Sequence, residues 1–394
     1  MTIERGKSVD FEFTTRQNIL KEEARVVMEK EIVPIADEWD KNKLLHDRVH
    51  VIELFDKLIP LGYVGAALSK ELGGYGLDYV TYGILLEELF RAYGSLGMIA
   101  NLQNSLCNIH IFGTPEQKKK FLPPMLKGEM ILCAGITEPN VGSNPAEMET
   151  EATLDGDYYI VNGTKTWITN GSISDICFLV AQTKRGSGAS GICHLIVERK
   201  VSPYEARELP KLGMRSCPTS ELYFKNCRVP KENLLVPPGE GLKDILRGFE
   251  IMRSTMAMGS AGIAQAAIDA SIRYVKQRRQ FGKLIGNFQL VQEMIADMIV
   301  ETEISRLLGF RALSKIDKGV RCDSEASMAK FYSVEAALRV TSMAIQVHGA
   351  MGLSEELSLE RYFRDARTWT IPDGTTQIQK LIIGRNALGI NAIR

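Results

Sequence analysis

Four segments of the chain carry residue combinations able to bind or transform a ligand. The first is Cys133–Asn144, CAGITEPNVGSN. Its glycines, proline and small hydroxyls allow backbone to approach a planar or phosphorylated ligand closely. An ordinary loop has the same composition. The second is Trp167–Gly171, WITNG, an aromatic at a strand end, which reads equally as a core tryptophan. The third is Arg278–Lys283, RRQFGK, followed by Phe288 and Gln289. It sets charge, glycine and an aromatic between two long helical stretches, where basic residues could also simply answer a helix dipole. The fourth begins at Gln346–Gly352, QVHGAMG, and resumes at Ile371–Gln377, IPDGTTQ. There one helix ends at glycine and another starts with hydroxyls, a ready anion site. Asp373 is either a reactive carboxylate or an N-cap.

Other chemistries lose their support. The seven cysteines (Cys107, Cys133, Cys177, Cys193, Cys217, Cys227 and Cys322) are scattered and form no CxxC pair. They read as free thiols in a reducing cytoplasm. Among five histidines the one i,i+4 pair, His46 and His50, lies in a charged stretch without a third ligand, so it reads as a solvated helix face and no metal is expected. No GxGxxG fingerprint or P-loop occurs. Lys+Arg and Asp+Glu are both 48, which argues against a nucleic-acid binder acting through a global basic field. No apolar run reaches the roughly 18 residues of a membrane span, and the N-terminus lacks the apolar core of a secretory signal.

These segments need elements to hold them. With 394 residues and 45% hydrophobic content, two or three domains are expected. Residues 1–130 read as a helical domain. Thr14 and Gln17 form a capping box whose helix should end near Pro34, Thr114-Pro115 with Gln117 repeats that start, and Tyr79–Tyr93 has helical spacing. Residues 131–238 read as a compact antiparallel β domain. Tyr158–Thr169 predicts two strands joined by an Asn162-Gly163 turn, with more strands at Ile176–Val180, Ile192–Val197 and Glu221–Phe224. Residues 239–394 return to helix, with long segments near 243–278, 288–317 and 324–347. A 30-residue helix is about 45 Å long, and such helices pack as bundles that often bury a subunit interface.

Together, and in this order, the segments resemble the acyl-CoA dehydrogenase family of flavoproteins. The resemblance runs from about residue 13 to 390. It rests on Gly135–Pro139 through Gly142-Ser143, Asn162–Asn170, Arg278 with Gln280-Phe281-Gly282, Gln346 with Gly349 and Gly352, and Arg364-Asp365-Ala366. It implies an α+β fold with an N-terminal helical domain, a middle antiparallel β domain and a C-terminal four-helix bundle. It implies FAD, contacted by Ile136, Thr137, Gly142, Ser143, Trp167 and Thr169. Thr375 and Gln377 would also hold the cofactor. Arg278, Gln280, Phe281, Gln289, Gln346 and Gly349 would reach the FAD of a neighbouring subunit, which requires a homo-oligomer, a dimer or a dimer of dimers. Ser143 would also face an acyl-CoA, with Leu96, Gly97, Glu250, Met252, Arg253, Gly374 and Arg385 around it. Electron-transferring flavoprotein is the implied electron acceptor.

The implied reaction is α,β-dehydrogenation of a thioester: a base takes the α-proton and flavin N5 takes the β-hydride. The family often places a glutamate where this chain has Asp373, which is shorter by one C–C bond, about 1.5 Å. The family's other base position falls on Met252, which cannot serve. Asp373 is therefore the expected base, and the shortened reach suggests a compact, bulky substrate. Gly97 falls where the glutaryl branch has a carboxylate-binding arginine, which disfavours a dicarboxylic acyl group. Residues Gly213–Glu221 resemble members acting on alicyclic thioesters in anaerobic aromatic degradation. The specific expectation is cyclohexane-1-carboxyl-CoA giving cyclohex-1-ene-1-carboxyl-CoA. A relative with that product as substrate uses an aspartate on an early helix, and none occurs between Tyr79 and Pro115. The remaining alternatives are a short- or branched-chain acyl-CoA dehydrogenase, a cyclohex-1-ene-1-carboxyl-CoA dehydrogenase, a nitroalkane oxidase-like enzyme, and a flavin-binding scaffold without catalysis.

Overall fold

The structure, a computed structural model, describes residues 12–104 and 107–392. Thr14 and Gln17 form the expected capping box at the head of α1 (Thr15–Val27). The helix does not stop near Pro34. It widens into a π-helical turn, Met28–Ile32, and continues as α2 (Val33–Asn42). Pro34 is the second residue of that segment, where a missing N–H costs little. Then come α3 (Arg48–Leu58), α4 (Tyr79–Ala92), α5 (Gly94–Gln103), α6 (Cys107–Phe112) and α7 (Pro115–Leu126), the last with a second capping box at Thr114. Helix α4 is buried almost all round. Its Glu87 and Glu88 tolerate this because Arg306 and Arg25 pair with them at 2.6 and 2.8 Å.

The middle region holds β1 (Leu132–Gly135), β2 (Glu151–Asp155), β3 (Tyr158–Thr169), β4 (Ile176–Gln182), β5 (Ile192–Glu198), β6 (Glu205–Glu208), β7 (Thr219–Pro230) and β8 (Leu234–Val236). They form one sheet in the order β6-β7-β3-β2-β4-β5-β8, with β1 added on β4. The sheet is mixed, not antiparallel, because β1 and β2 both run parallel to β4. Nor is Asn162-Gly163 a turn. β3 runs straight through it with a bulge against β7 between Val161 and Gly163. A Cβ on Gly163 would lie 2.5 Å from Thr150 Oγ1, and the Asn162 side chain accepts a bond from Asn226 N at 2.7 Å. The pair serves a bulge and close packing instead.

The C-terminal region is built on α8 (Gly241–Val275), α9 (Gln289–Asp317) and α10 (Asp323–His348). A short hairpin, β9 (Arg279–Gln280) with β10 (Lys283–Leu284), joins the first two. Helices α11 (Leu359–Trp369) and α12 (Thr376–Leu388) pack along α10. α4 lies so close to α8 that a Cβ on Gly262 would stand 2.3 Å from Glu87 O. The two helical regions therefore share one apolar core, while the sheet has a core on one face and packs the other against the N-terminal helices and the start of α8. Among the described residues no helix is long and apolar enough to cross a membrane.

Candidate active site

A cavity of about 150 Å³ lies where the three regions meet. One wall is the first part of α8, including Gly248, Phe249 and Met252. The sheet contributes Ile136, Phe178 and Val180, and the N-terminal helices contribute Tyr82, Asn101 and Leu102. Asp373 completes the lining.

Asp373 sits between α11 and α12 with φ 54°, a left-handed backbone that a residue with a Cβ adopts only under constraint. The constraint is visible. Asp373 O accepts from Arg253 Nε at 3.0 Å and from Gln379 Nε2 at 3.1 Å. Lys330 Nζ donates to Pro372 O at 2.6 Å and to Gly374 O at 2.5 Å. The helix cap is not Asp373 but Thr375, whose hydroxyl accepts from Ile378 N. The carboxylate is left for other work, and its buried Oδ2 has no hydrogen-bond partner. Burial raises the Asp373 pKa above the usual carboxylate range, against the opposing pull of the Lys330 and Arg253 cations. Burial likewise pushes Lys330 down to about 8, opposed by the Asp373 charge.

Met252 lines the cavity, within 4.0 Å of Asn101 Nδ2. Leu96 and Gly97 do not. Leu96 is fully buried in the helical core, and a Cβ on Gly97 would meet the Phe90 ring at 2.7 Å. Gly97 is thus a close-packing residue, and α5 reaches the cavity through Asn101 and Leu102 instead. Glu250 also turns away. It accepts from Cys322 N at 3.1 Å and pairs with Arg321 at 3.5 Å. Arg253 stands behind Asp373, Gly374 supplies a clamped carbonyl with φ 90°, and Arg385 is engaged by Asp323 at 2.9 Å. Gly142 and Ser143 are exposed on the loop after β1.

On the sheet, Thr137 O accepts from Thr166 N at 2.9 Å, tying the first segment to β3. Buried Lys165 bonds Ile136 O at 3.0 Å and Glu138 Oε1 at 2.7 Å, fixing the same segment from below. A second irregularity in β3 gives Trp167 φ 61° and leaves its indole 57% exposed. Trp167 is not a core residue. An exposed indole beside Ile136, Thr137 and Thr169 is a surface that a flat tricyclic ring would cover, with hydroxyls and backbone groups at its edge. These residues fit a flavin.

Arg278, Gln280, Phe281, Gln289, Gln346 and Gly349 gather at the far end of the bundle, all exposed, Phe281 by 92%. Tyr274 stacks on His348 there, with ring centroids 4.3 Å apart. From Met252 to Val275 the α8 axis rises about 35 Å, so this group cannot reach the cavity of its own chain. Gln377 is exposed on α12. The His46/His50 expectation needs correction: His46 is partly enclosed, bonding Arg215 O at 3.0 Å with Glu208 at 3.5 Å. No group of three or more metal-ligating side chains occurs among the described residues.

Sequence reasoning missed Lys330, Gln379 and Tyr82. For Lys330 a signal existed: it interrupts the small-residue face Ala326, Ala329, Ser333 and Ala337 of α10, all buried. A lysine on such a face must have a partner.

Three family models match the chain: the N-terminal domain of acyl-CoA dehydrogenase over residues 14–129, the middle domain over 133–227, and the C-terminal domain over 239–388. A glutaryl-CoA dehydrogenase of Desulfococcus multivorans is 36% identical, over 97% of this chain and 99% of its own. A subunit of the caffeyl-CoA reductase-Etf complex of Acetobacterium woodii is 36% identical, over 94% and 98%. The structure of butyryl-CoA dehydrogenase from Megasphaera elsdenii superimposes with a TM-score of 0.92 at 34% identity, covering 96% of this chain and all of that one.

Proposed function

The chain belongs to the acyl-CoA dehydrogenase family of FAD-dependent oxidoreductases, and within that family we propose that it dehydrogenates a compact alicyclic thioester, cyclohexane-1-carboxyl-CoA, with Asp373 as the base. The observation that carries this reading is the unpartnered Asp373 Oδ2 at the cavity wall. Such an oxygen accepts a proton without first giving up a bond. Bound FAD would take the β-hydride, so that loss of the α-proton to Asp373 leaves a C=C bond conjugated to the thioester. Ile136, Thr137, Trp167 and Thr169 would hold the ring system, with Thr375 and Gln377 contributing from the start of α12.

Polarity points to the acyl group. Around Asp373 the cavity is walled by Phe249, Ile251, Met252 and Leu102, which suit a ring hydrocarbon. Its lining includes no lysine or arginine, which leaves a second carboxylate without a counter-charge. This feature, and not Gly97, disfavours a glutaryl substrate. A base one C–C bond shorter leaves room for a tertiary ring carbon.

The exposed group at the far end of the bundle is assigned to the FAD of a second copy, so the active form would be a homo-oligomer, a dimer of dimers. Electron-transferring flavoprotein is the proposed acceptor, in keeping with the Etf complex to which one relative belongs. Anaerobic bleaching of the bound flavin tests the reading. Cyclohexane-1-carboxyl-CoA should reduce it faster than butyryl-, isovaleryl- or glutaryl-CoA. Faster reduction by a linear thioester would overturn the alicyclic assignment, and reduction by nitroethane alone would overturn the thioester.

A further inference from the structure

One pair of buried polar side chains in the cavity wall has no part in the chemistry above. His194 on β5 and Asp244 in the first turn of α8 are 5% and 6% exposed, and both line the cavity. His194 Nε2 lies 3.0 Å from Gly241 O, which can only accept, so Nε2 carries a hydrogen. His194 Nδ1 lies 3.1 Å from Asp244 Oδ2. That contact has ion-pair distance without hydrogen-bond geometry, so Oδ2 is buried and unpartnered. The Asp244 carboxylate accepts no side-chain or backbone hydrogen bond from the described residues. A carboxyl group this buried, with acceptor capacity left over, is built to meet a donor in the cavity.

Position identifies the donor. Asp244 and Met252 are eight residues apart on α8, a rise of about 12 Å. Tyr82 and Asn101 line the Met252 end. The Asp244 end borders the loop after β1, because Ile245 packs with Val141, Met148, Val180 and Ile192. A thioester whose acyl carbon lies at Asp373 and whose thiol arm leaves toward the loop after β1 passes Asp244, which lines the same cavity. Along an extended pantetheine arm the two amide nitrogens stand about 4 and 9 Å from sulfur.

We infer that the His194–Asp244 pair is a subsite for a pantetheine amide, with the Asp244 carboxylate accepting the amide N–H while His194 holds it in place. This rests on the thioester reading above and adds to it the residues that recognise the arm. Both are positioning residues; neither touches the reacting carbons.

The test uses three thioesters of cyclohexanecarboxylic acid: with CoA, with N-acetylcysteamine (one amide) and with ethanethiol (none). Dissociation constants come from the concentration dependence of anaerobic flavin reduction. In the wild type the amides should tighten binding tenfold or more. Asp244→Asn should lose most of that advantage, with the weakening largest for the CoA ester and smallest for the ethanethiol ester. The N-acetylcysteamine ester shows which amide is met. Equal weakening of all three esters, or no weakening, would overturn the subsite. Should Asp244→Asn fail to fold, His194→Gln with the same panel decides between the same outcomes. A wild type reduced by none of the three overturns the thioester reading itself, which is a separate result.

Discussion

At Asp373 two opposing influences meet on one carboxyl group. Burial raises its pKa, and the Lys330 and Arg253 cations hold that rise in check. Glu250, Asp323, Arg385 and Glu335 surround those cations in turn. The base must be ionised to act, so the rate of flavin reduction should climb with pH through the raised pKa. Removing Lys330 removes a cation that favours the ionised form. Lys330→Met should therefore move the acid limb to higher pH, and Lys330→Arg should restore it in part. The comparison belongs below pH about 8, where Lys330 keeps its charge. An unmoved limb in Lys330→Met would detach this lysine from the base. The length of the side chain makes a second prediction. Asp373→Glu carries the carboxylate forward by about 1.5 Å. It should slow reduction by cyclohexane-1-carboxyl-CoA by about tenfold to a hundredfold and speed reduction by butyryl-CoA. A parallel change with both substrates would contradict the shape argument. Asp373 was legible in the sequence because it departs from a recognisable pattern. Lys330 and Gln379 were not, because they act on the carbonyls of Pro372, Asp373 and Gly374 from other elements.

The elements that carry the side chains proposed to face the flavin depend on two irregularities in β3 and one buried ion pair. The register shift beyond Lys165 turns Trp167 outward, and Lys165 and Glu138 pin the segment that bears Ile136 and Thr137. Lys165 side-chain exposure is 0% and that of Glu138 is 2%. Lys165→Met would strand a buried carboxylate and should destabilise the fold by about 3–5 kcal/mol. The double variant Lys165→Met/Glu138→Gln should recover part of that loss in thermal unfolding, and no recovery would mean that the two do not act as a pair. Burial raises the Glu138 pKa, but Lys165 and the hydrogen bonds from Thr150 and Glu149 outweigh it and leave it lowered. The pair's contribution is therefore present above the ordinary glutamate pKa and fades as pH falls through the lowered one. The sequence pattern at Tyr158–Thr169 could not separate a bulge from a turn. Asn-Gly supports both, and what decides it is Thr150 just before β2 and Asn226 on β7, outside the segment itself. Pro34 misled for a related reason, since a proline stops a helix only where its N–H was needed.

For the whole molecule, the α–β–α order and the long C-terminal helices were plain from periodicity, which is a local property. The parallel placement of β1 and β2 on β4 was not, because register between distant strands leaves no mark in either one alone. The length of α8 has a functional consequence. It separates Asp373 from Arg278, Gln280 and Phe281 by more than one cavity can span. If a second copy supplies those residues, an Asp373→Asn chain and an Arg278→Glu/Phe281→Ala chain should each be weak alone and recover activity when co-expressed as mixed oligomers. Failure to recover, with mixed oligomers formed, would place each site within one chain. The most direct measurement of the central claim is stopped-flow, anaerobic reduction of the bound flavin by cyclohexane-1-carboxyl-CoA, with and without deuterium at the α-carbon, in wild type and Asp373→Asn. Fast reduction slowed by α-deuterium in the wild type, and a rate lower by about a thousandfold or more in the variant, is the predicted result. Reduction of Asp373→Asn at the wild-type rate would contradict it.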